Sequence, residues 1–302
     1  MNMSKPKILV TGSTGKTGAA VVEQLLERDY PVRALARVRD ERSERLERLG
    51  AEVVLGDFVD LQSIRDAVRG VKRVYFVYPP HDGLVEATSI MAVAARDAGV
   101  EAIVNMSQIS ARQDSQSPLA RHHWLSENIF DWANVGAVHI RPSFFAEMLY
   151  LLGGATIAKE GKLYLPYGDE RHAPVAAADI ARVVVGILTD PAPYEGERLV
   201  LTGPKNMTVA EMVEVLSEEL GRSVEYVDIP GEAWGQILAG AVGMPQFLVT
   251  HLRAVAEDHQ NGIFNAETDV VERIGGQPPQ SLAAFIRENR ALFGGAQQAD
   301  RP

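Results

Sequence analysis

Three glycines with the spacing Gly12-x-x-Gly15-x-x-Gly18 follow the short apolar run Ile8 to Val10 near the start of the chain. Apolar residues with helical spacing return between Val22 and Leu26, so the pattern predicts a strand, a tight turn and a helix. Glycine lets the backbone approach a phosphate closely, and the first N–H groups of a helix are free to bind an anion. The stretch therefore predicts a dinucleotide-binding turn, whose candidate cofactor-binding residues are Gly12, Ser13, Thr14, Gly15, Lys16, Thr17 and Gly18.

Length and composition limit the classes of protein to which this turn can belong. The chain has 302 residues, 46% of them hydrophobic, which is enough for a large core. A net charge of -10 argues against a nucleic-acid binder. The absence of cysteine excludes disulfides and thiol nucleophiles, and scattered histidines without ligand spacing predict no metal. We find no segment with the length and apolarity of a signal peptide or a membrane span, and we expect a cytoplasmic protein.

Short apolar strands alternate with amphipathic helices through the first half of the chain. The predicted strands cover residues 8–10, 31–36, 51–55, 73–78, 102–105 and 137–140, and two of the helices cover 84–98 and 119–133. This alternation predicts an α/β protein with a doubly wound parallel sheet of the Rossmann type. Ligands bind such sheets at the carboxyl ends of the strands.

The pattern changes beyond Pro142, where strands become sparse and helices dominate. We expect residues 1–150 to form the dinucleotide-binding domain and residues 151–302 a smaller, mostly helical lobe that covers the substrate. Parts of this lobe, about 175–204, return to the first domain. Thr208 and Glu211 have the spacing of a capping box at the start of a helix. Apolar residues and glycine breaks in 234–256 suit a cover over the substrate, although core packing also explains most of these side chains.

The second strand ends at Arg37, where a site that prefers NAD carries an acidic residue. A guanidinium at this position favours the 2′-phosphate of NADPH, and Arg39 is a second candidate for the same phosphate. The alternative is that Arg37 belongs to the solvated charged run 37–48. We assign that simpler role to the three later arginines of the run, which suit an exposed helix.

Short-chain dehydrogenases commonly donate a proton from a Tyr-x-x-x-Lys pair, in which the lysine lowers the pKa of the tyrosine. None of the eight tyrosines in this chain has a lysine four residues later. Any reduction must therefore take its proton elsewhere, and His123 is the nearest titratable candidate, with an inert helix-surface histidine as the alternative. Ser107, just past the fifth strand, is expected to orient a ligand, since no Ser-His-Asp arrangement is visible.

Apolar side chains directly after the sixth strand suit a planar acceptor. The candidate substrate residues are Phe145, Met148 and Tyr150, together with Trp234 from the proposed cover. The alternative is that these side chains form the joint between the two lobes.

Seven short motifs are spread over nearly the whole chain: the glycine turn 12–18, Gly56-Asp57-Phe58 with Asp60 and Ser63, and the segments 77–80, 105–107, 141–147, 179–181 and 201–204. Together they resemble the NmrA-like atypical short-chain dehydrogenase/reductases. That group includes NAD(P)H:quinone oxidoreductases, azo- and triphenylmethane-dye reductases, and non-catalytic redox sensors.

The resemblance implies further cofactor contacts at the strand ends. It implies Asp57 and Phe58 beside the adenine, Val77, Tyr78 and Pro79 beside a ribose, and Pro142, Ser143, Phe144 and Phe145 over the nicotinamide. Many members keep a lysine on the helix before the sixth strand, and that position falls at or near His123.

The resemblance also favours one function over another. We expect an NADPH-dependent reductase that passes hydride to a planar apolar acceptor such as a quinone or an azo compound. The alternative is a non-catalytic NADP(H)-binding redox sensor that acts through a protein partner. For the enzyme we expect a small aromatic or quinoid substrate, no nucleic acid and no membrane, and we allow for a homodimer.

Overall fold

The computed structural model describes residues 5–240 and 242–294. Their strands are β1 (Ile8–Val10), β2 (Val32–Ala36), β3 (Glu52–Leu55), β4 (Arg73–Phe76), β5 (Ala102–Met106), β6 (Ala137–Pro142), β7 (Lys162–Leu165), β8 (Arg198–Leu201) and β9 (Glu225–Asp228). Seven of them form one parallel sheet in the order β3-β2-β1-β4-β5-β6-β8. The strand order reverses between β1 and β4, which opens a crevice at their carboxyl ends.

Helices connect these strands. They are α1 (Lys16–Leu26), α2 (Glu41–Arg48), α3 (Leu61–Val68), α4 (Leu84–Ala98), α5 (Pro118–Ala133), α6 (Met148–Glu160), α7 (Ala177–Thr189), α8 (Val209–Leu220), α9 (Gly231–Gly240), α10 (Gln246–Gln260), α11 (Val270–Gly275) and α12 (Leu282–Glu288). Short 3-10 turns occur at Ala192–Tyr194 and Arg290–Phe293. Among the described helices, none combines the length and apolarity needed to span a membrane.

Successive strand residues point to opposite faces of the large sheet, because the side-chain period of a strand is two. Ile8 and Val10 join an apolar cluster with α1, α7 and α11, whereas Leu9, between them, joins a cluster with α3, α4 and α5. Both faces of the sheet are therefore covered by helices, as a parallel sheet requires. The predicted doubly wound fold is confirmed.

The second lobe contains the two-stranded parallel sheet of β7 and β9 and the helices α6, α8, α9, α10 and α12, which share one apolar cluster. The capping box of α8 forms as predicted: the Thr208 hydroxyl accepts from the Glu211 N–H at 3.1 Å, and the Glu211 carboxylate accepts from the Thr208 N–H at 2.9 Å. In the chain, α7 and β8 lie between β7 and α8, but they belong to the first domain: α7 packs on α1, and β8 pairs with β6 in the large sheet.

The fourth strand ends two residues earlier than the sequence predicts, at Phe76. The Val77 N–H donates to the Thr11 hydroxyl at 2.9 Å instead of to a neighbouring strand. This side-chain hydrogen bond diverts the chain out of the sheet at the edge of the crevice. The strand β7 was not predicted from the sequence.

Candidate functional site

The glycine turn closes tightly against the end of β4. Gly12 adopts a φ of +54°, and a Cβ there would lie 2.7 Å from the Val77 side chain. A Cβ on Gly18 would lie 2.2 Å from the Gly12 carbonyl oxygen, and the Gly15 N–H donates to that same oxygen at 2.9 Å. Side chains at Gly12 and Gly18 would therefore force the turn and the start of α1 apart.

The first turn of α1 is open to an anion. Within the described residues, the N–H groups of Lys16, Thr17 and Gly18 have no hydrogen-bond acceptor, and the helix has neither a side-chain cap nor an acidic residue in its first turn. Free N–H groups at the positive end of a helix bind phosphate. The turn therefore fits the pyrophosphate of a dinucleotide.

Hydroxyl groups around the turn form hydrogen bonds within the protein. The buried Ser13 hydroxyl donates to the Leu35 carbonyl at 2.8 Å, and the Tyr75 hydroxyl donates to Thr17 Oγ1 at 3.0 Å. These bonds tie the turn to β2 and β4. For Ser13 in particular, the backbone rather than the hydroxyl remains for a ligand.

Arg37 lies just beyond β2 and is exposed. Its neighbours are already paired: Arg39 donates twice to Glu47, at 2.9 and 3.2 Å, and Arg42 donates to Asp40. Arg37 forms no ion pair with any residue that the structure describes. Because the Ser13 hydroxyl donates to Leu35 of β2, Arg37 directly follows the strand that is attached to the turn.

Three aromatic rings meet where β3 and β4 end. The Phe58 ring contacts the rings of Phe76 and Tyr78 edge-on, with centroid distances of 5.9 and 5.1 Å. Asp57 is exposed next to Phe58, and burial together with the Asp57 charge raises the pKa of Tyr78. Pro79 follows at the surface. Phe58, proposed for the adenine, and Tyr78, proposed for a ribose, are therefore in contact with each other.

Ser107 belongs to a buried ionic network beyond β5. Its hydroxyl donates to the fully buried Glu127 at 2.6 Å, and Glu127 also accepts from Arg141 at 2.8 and 2.6 Å. Burial alone would raise the pKa of Glu127, but the hydrogen bonds from Arg141 and Ser107 hold it below its ordinary value. Because the Ser107 O–H donates its hydrogen bond to Glu127, only the lone pairs of the hydroxyl oxygen remain for a ligand.

His123 lies on α5 beside the Met106 carbonyl at the end of β5. Burial and the neighbouring His251 lower the pKa of His123 to about 3. The imidazole is therefore neutral at physiological pH, so it can donate an N–H hydrogen bond but holds no imidazolium proton. Its assignment as proton donor stays a prediction.

Two of the proposed contact residues instead fill the core of the second lobe. Phe144 is 4% exposed and packs against His172, with 4.8 Å between ring centroids. Trp234 is 1% exposed and meets Tyr167 edge-on at 6.2 Å. The Ser143 hydroxyl donates to the Ala173 carbonyl at 2.7 Å. These three side chains pack or hydrogen-bond within the protein, and their assignment to the cofactor and the substrate stays a prediction.

Phe145, Met148 and Tyr150 remain half-buried after β6. The Tyr150 ring stacks on Phe285 with 6.1 Å between centroids and 6° between planes, and its hydroxyl accepts from Lys16 Nζ at 2.8 Å. The sequence analysis selected both Lys16 and Tyr150 as candidate site residues but did not predict that they are in contact.

Two polar features were missed entirely. Glu147 is buried and accepts from the Ala177 N–H at 3.1 Å, and burial raises its pKa while the charge of Lys16 opposes that shift. His251 of α10 shares a 2.7 Å hydrogen bond with the Ser117 hydroxyl at the start of α5. Both pairs join segments far apart in the chain, so no spacing in the sequence could have revealed them.

Known proteins resemble this chain over nearly its whole length. An NAD(P)H azoreductase from Xenophilus azovorans is 34% identical over 296 residues, which cover 96% of this chain and 100% of the relative. The crystal structure of an NADPH-dependent quinone oxidoreductase from Escherichia coli with NADPH has a TM-score of 0.82 at 23% identity, covering 94% of this chain and 99% of the other.

The crystal structure of a triphenylmethane reductase from Citrobacter sp., complexed with NADP(H), has a TM-score of 0.81 at 24% identity, covering 93% of this chain and 99% of the other. The model of the NmrA-like family matches residues 4–272. With that match and the azoreductase similarity, this chain belongs to the NmrA-like family.

Proposed function

We propose that this protein is an NADPH-dependent reductase that transfers hydride to a planar apolar acceptor such as a quinone or an azo compound. The observation that carries the proposal is the open N-terminus of α1, together with Arg37, which directly follows the strand tied to the turn and has no ion-pair partner among the described residues. The 34% identity to an NAD(P)H azoreductase supports the same reaction class. The likeness to two reductase structures supports the fold on which the site is built.

The residues of this chain have distinct tasks in the proposed reaction. The N–H groups of Lys16, Thr17 and Gly18 hold the pyrophosphate, and Arg37 holds the 2′-phosphate. The bound dinucleotide supplies the hydride. The half-buried side chains Phe145 and Met148 exclude water from the acceptor.

The proposal also assigns the domains, the adenine contacts and the location of the reaction. Residues 1–150 bind the dinucleotide, and residues 151–302 cover the acceptor except for about 175–204, which complete the first domain. Asp57 and Phe58 bind the adenine end. We place the reaction in the cytoplasm, since a chain without cysteine has no disulfide that needs an oxidising compartment.

NADPH will bind at least about ten times more tightly than NADH, which corresponds to about 1.4 kcal/mol. The reason is the guanidinium of Arg37, which has no ion-pair partner among the described residues, because only NADPH carries a 2′-phosphate that can pair with it. Fluorescence titration of both cofactors measures the ratio, and Arg37→Ala is expected to bring it close to one.

Arg42→Ala is the matched control, because Arg42 is already paired with Asp40 and its loss should leave the ratio unchanged. Equal affinities in the wild type, or an unaltered ratio in Arg37→Ala, would remove Arg37 from the site.

A further inference from the structure

Lys16 and Tyr150 form a lysine–tyrosine pair across the crevice. Lys16 Nζ donates to the Tyr150 hydroxyl at 2.8 Å and lies 5.0 Å from the centroid of the Tyr150 ring. The two residues are 134 positions apart, at the first turns of α1 and α6. The sequence has no Tyr-x-x-x-Lys pair, but the fold places a lysine and a tyrosine from distant segments within hydrogen-bond distance.

The phenol of Tyr150 is held in one orientation. Its ring stacks on Phe285 and meets Phe293 edge-on at 5.9 Å, so the ring body is fixed in the second lobe. The Tyr150 hydroxyl reaches Lys16 in a solvent-exposed hydrogen bond, and Lys16 is the first residue of α1, where the N–H groups are open to an anion. Glu147 lies close enough to Lys16 for the lysine charge to lower its pKa, although burial dominates and raises it.

We propose that Tyr150 is the proton donor of the reduction and that Lys16 is the positioning residue that stabilises its phenolate. This inference rests on the proposed function. Two-electron reduction of a quinone or azo group takes up one hydride, supplied by the bound dinucleotide, and one proton. The Tyr150 O–H bond breaks as the acceptor oxygen or nitrogen gains that proton. The phenolate remains next to the Lys16 ammonium and then recovers a proton from water.

The test compares two acceptors that differ in their need for a proton. A quinone takes up hydride and a proton, whereas a cationic triphenylmethane dye takes up hydride alone and becomes neutral. Tyr150→Phe removes only the hydroxyl and keeps the contacts with Phe285 and Phe293. We expect kcat with the quinone to fall by about 100-fold or more, kcat with the dye to stay within about threefold, and the NADPH Kd to stay within about twofold.

Lys16 is tested by rescue with the same two acceptors. Lys16→Met should lower kcat with the quinone by about tenfold or more, and Lys16→Arg should restore most of it. Tyr164→Phe is the matched control, because the Tyr164 hydroxyl bonds to Glu160 in the second lobe, and it should change no parameter.

Each other outcome counts against the inference. Equal losses with quinone and dye in Tyr150→Phe, or no loss with the quinone, would overturn the assignment of Tyr150 while leaving the reductase function intact. A tenfold weaker NADPH Kd would show that Tyr150 acts on the cofactor. A wild-type protein that reduces no quinone, azo dye or triphenylmethane dye would overturn the proposed function itself, and the inference with it.

Discussion

Gly18→Ala will weaken NADPH binding by at least about 100-fold, or about 2.7 kcal/mol. The added Cβ would lie 2.2 Å from the Gly12 carbonyl oxygen and 3.0 Å from the Ser13 Cα, both backbone atoms that cannot rotate away. The start of α1 must then separate from the turn, and its free N–H groups no longer converge on one phosphate. Fluorescence titration with NADPH measures the loss.

A graded series separates this effect from general damage. A Cβ on Gly15 would lie 3.2 Å from the same oxygen, so Gly15→Ala should weaken binding less than Gly18→Ala. Gly240→Ala is the control, since this helical glycine has no atom within 4 Å of a Cβ and its binding should match the wild type. Thermal melts without cofactor report whether each variant folds. Wild-type affinity in Gly18→Ala would mean that the turn does not hold the pyrophosphate.

Glu127→Ala will lower the free energy of unfolding by about 1–3 kcal/mol, because it leaves the buried Ser107 hydroxyl and the half-buried Arg141 guanidinium without their buried acceptor. Glu127 accepts two hydrogen bonds from Arg141, one from Ser107 at 2.6 Å and one from Arg198 at 3.0 Å. Urea unfolding of both proteins measures the difference. Glu232→Ala is the control, because its ion pair with Arg253 is exposed and its loss should have little effect.

The destabilisation will also depend on pH. Hydrogen bonds outweigh burial and hold the pKa of Glu127 below its ordinary value in the folded state. The unfolded chain therefore takes up this proton first as the pH falls. The stabilisation by Glu127 is complete above the ordinary carboxyl pKa and is lost as the pH falls through the lowered folded pKa. A difference between wild type and Glu127→Ala that is constant down to the most acidic pH would contradict this network.

The sequence carried the parts of the fold and site that depend on local spacing. The glycine turn, the strand alternation and the Thr208 capping box each depend on a fixed spacing in the sequence, and the structure contains all three. The sequence does not show whether an apolar residue lines a cavity or fills a core, and only the structure places the Phe144 and Trp234 rings in the core of the second lobe. Nearby charges were also ambiguous, since only the folded chain distinguishes an unpaired Arg37 from a paired Arg39.

Contacts across the chain were beyond any local pattern. Ser107 meets Glu127 within the first domain, whereas Ser117 meets His251 and Lys16 meets Tyr150 where the two lobes pack together. The absence of a Tyr-x-x-x-Lys pair directed attention to His123, whose pKa the fold lowers to about 3. The structure offers a lysine–tyrosine pair from two distant segments in its place.

Single-turnover oxidation of bound NADPH is the most direct test of hydride transfer by this chain. Stopped-flow absorbance would follow the bound cofactor after mixing with a small panel of quinones and azo dyes. A reductase is expected to oxidise NADPH faster with at least one acceptor than the free cofactor reacts with it. If NADPH binds tightly and no acceptor accelerates its oxidation above the free-cofactor rate, hydride transfer is contradicted and the redox sensor takes its place.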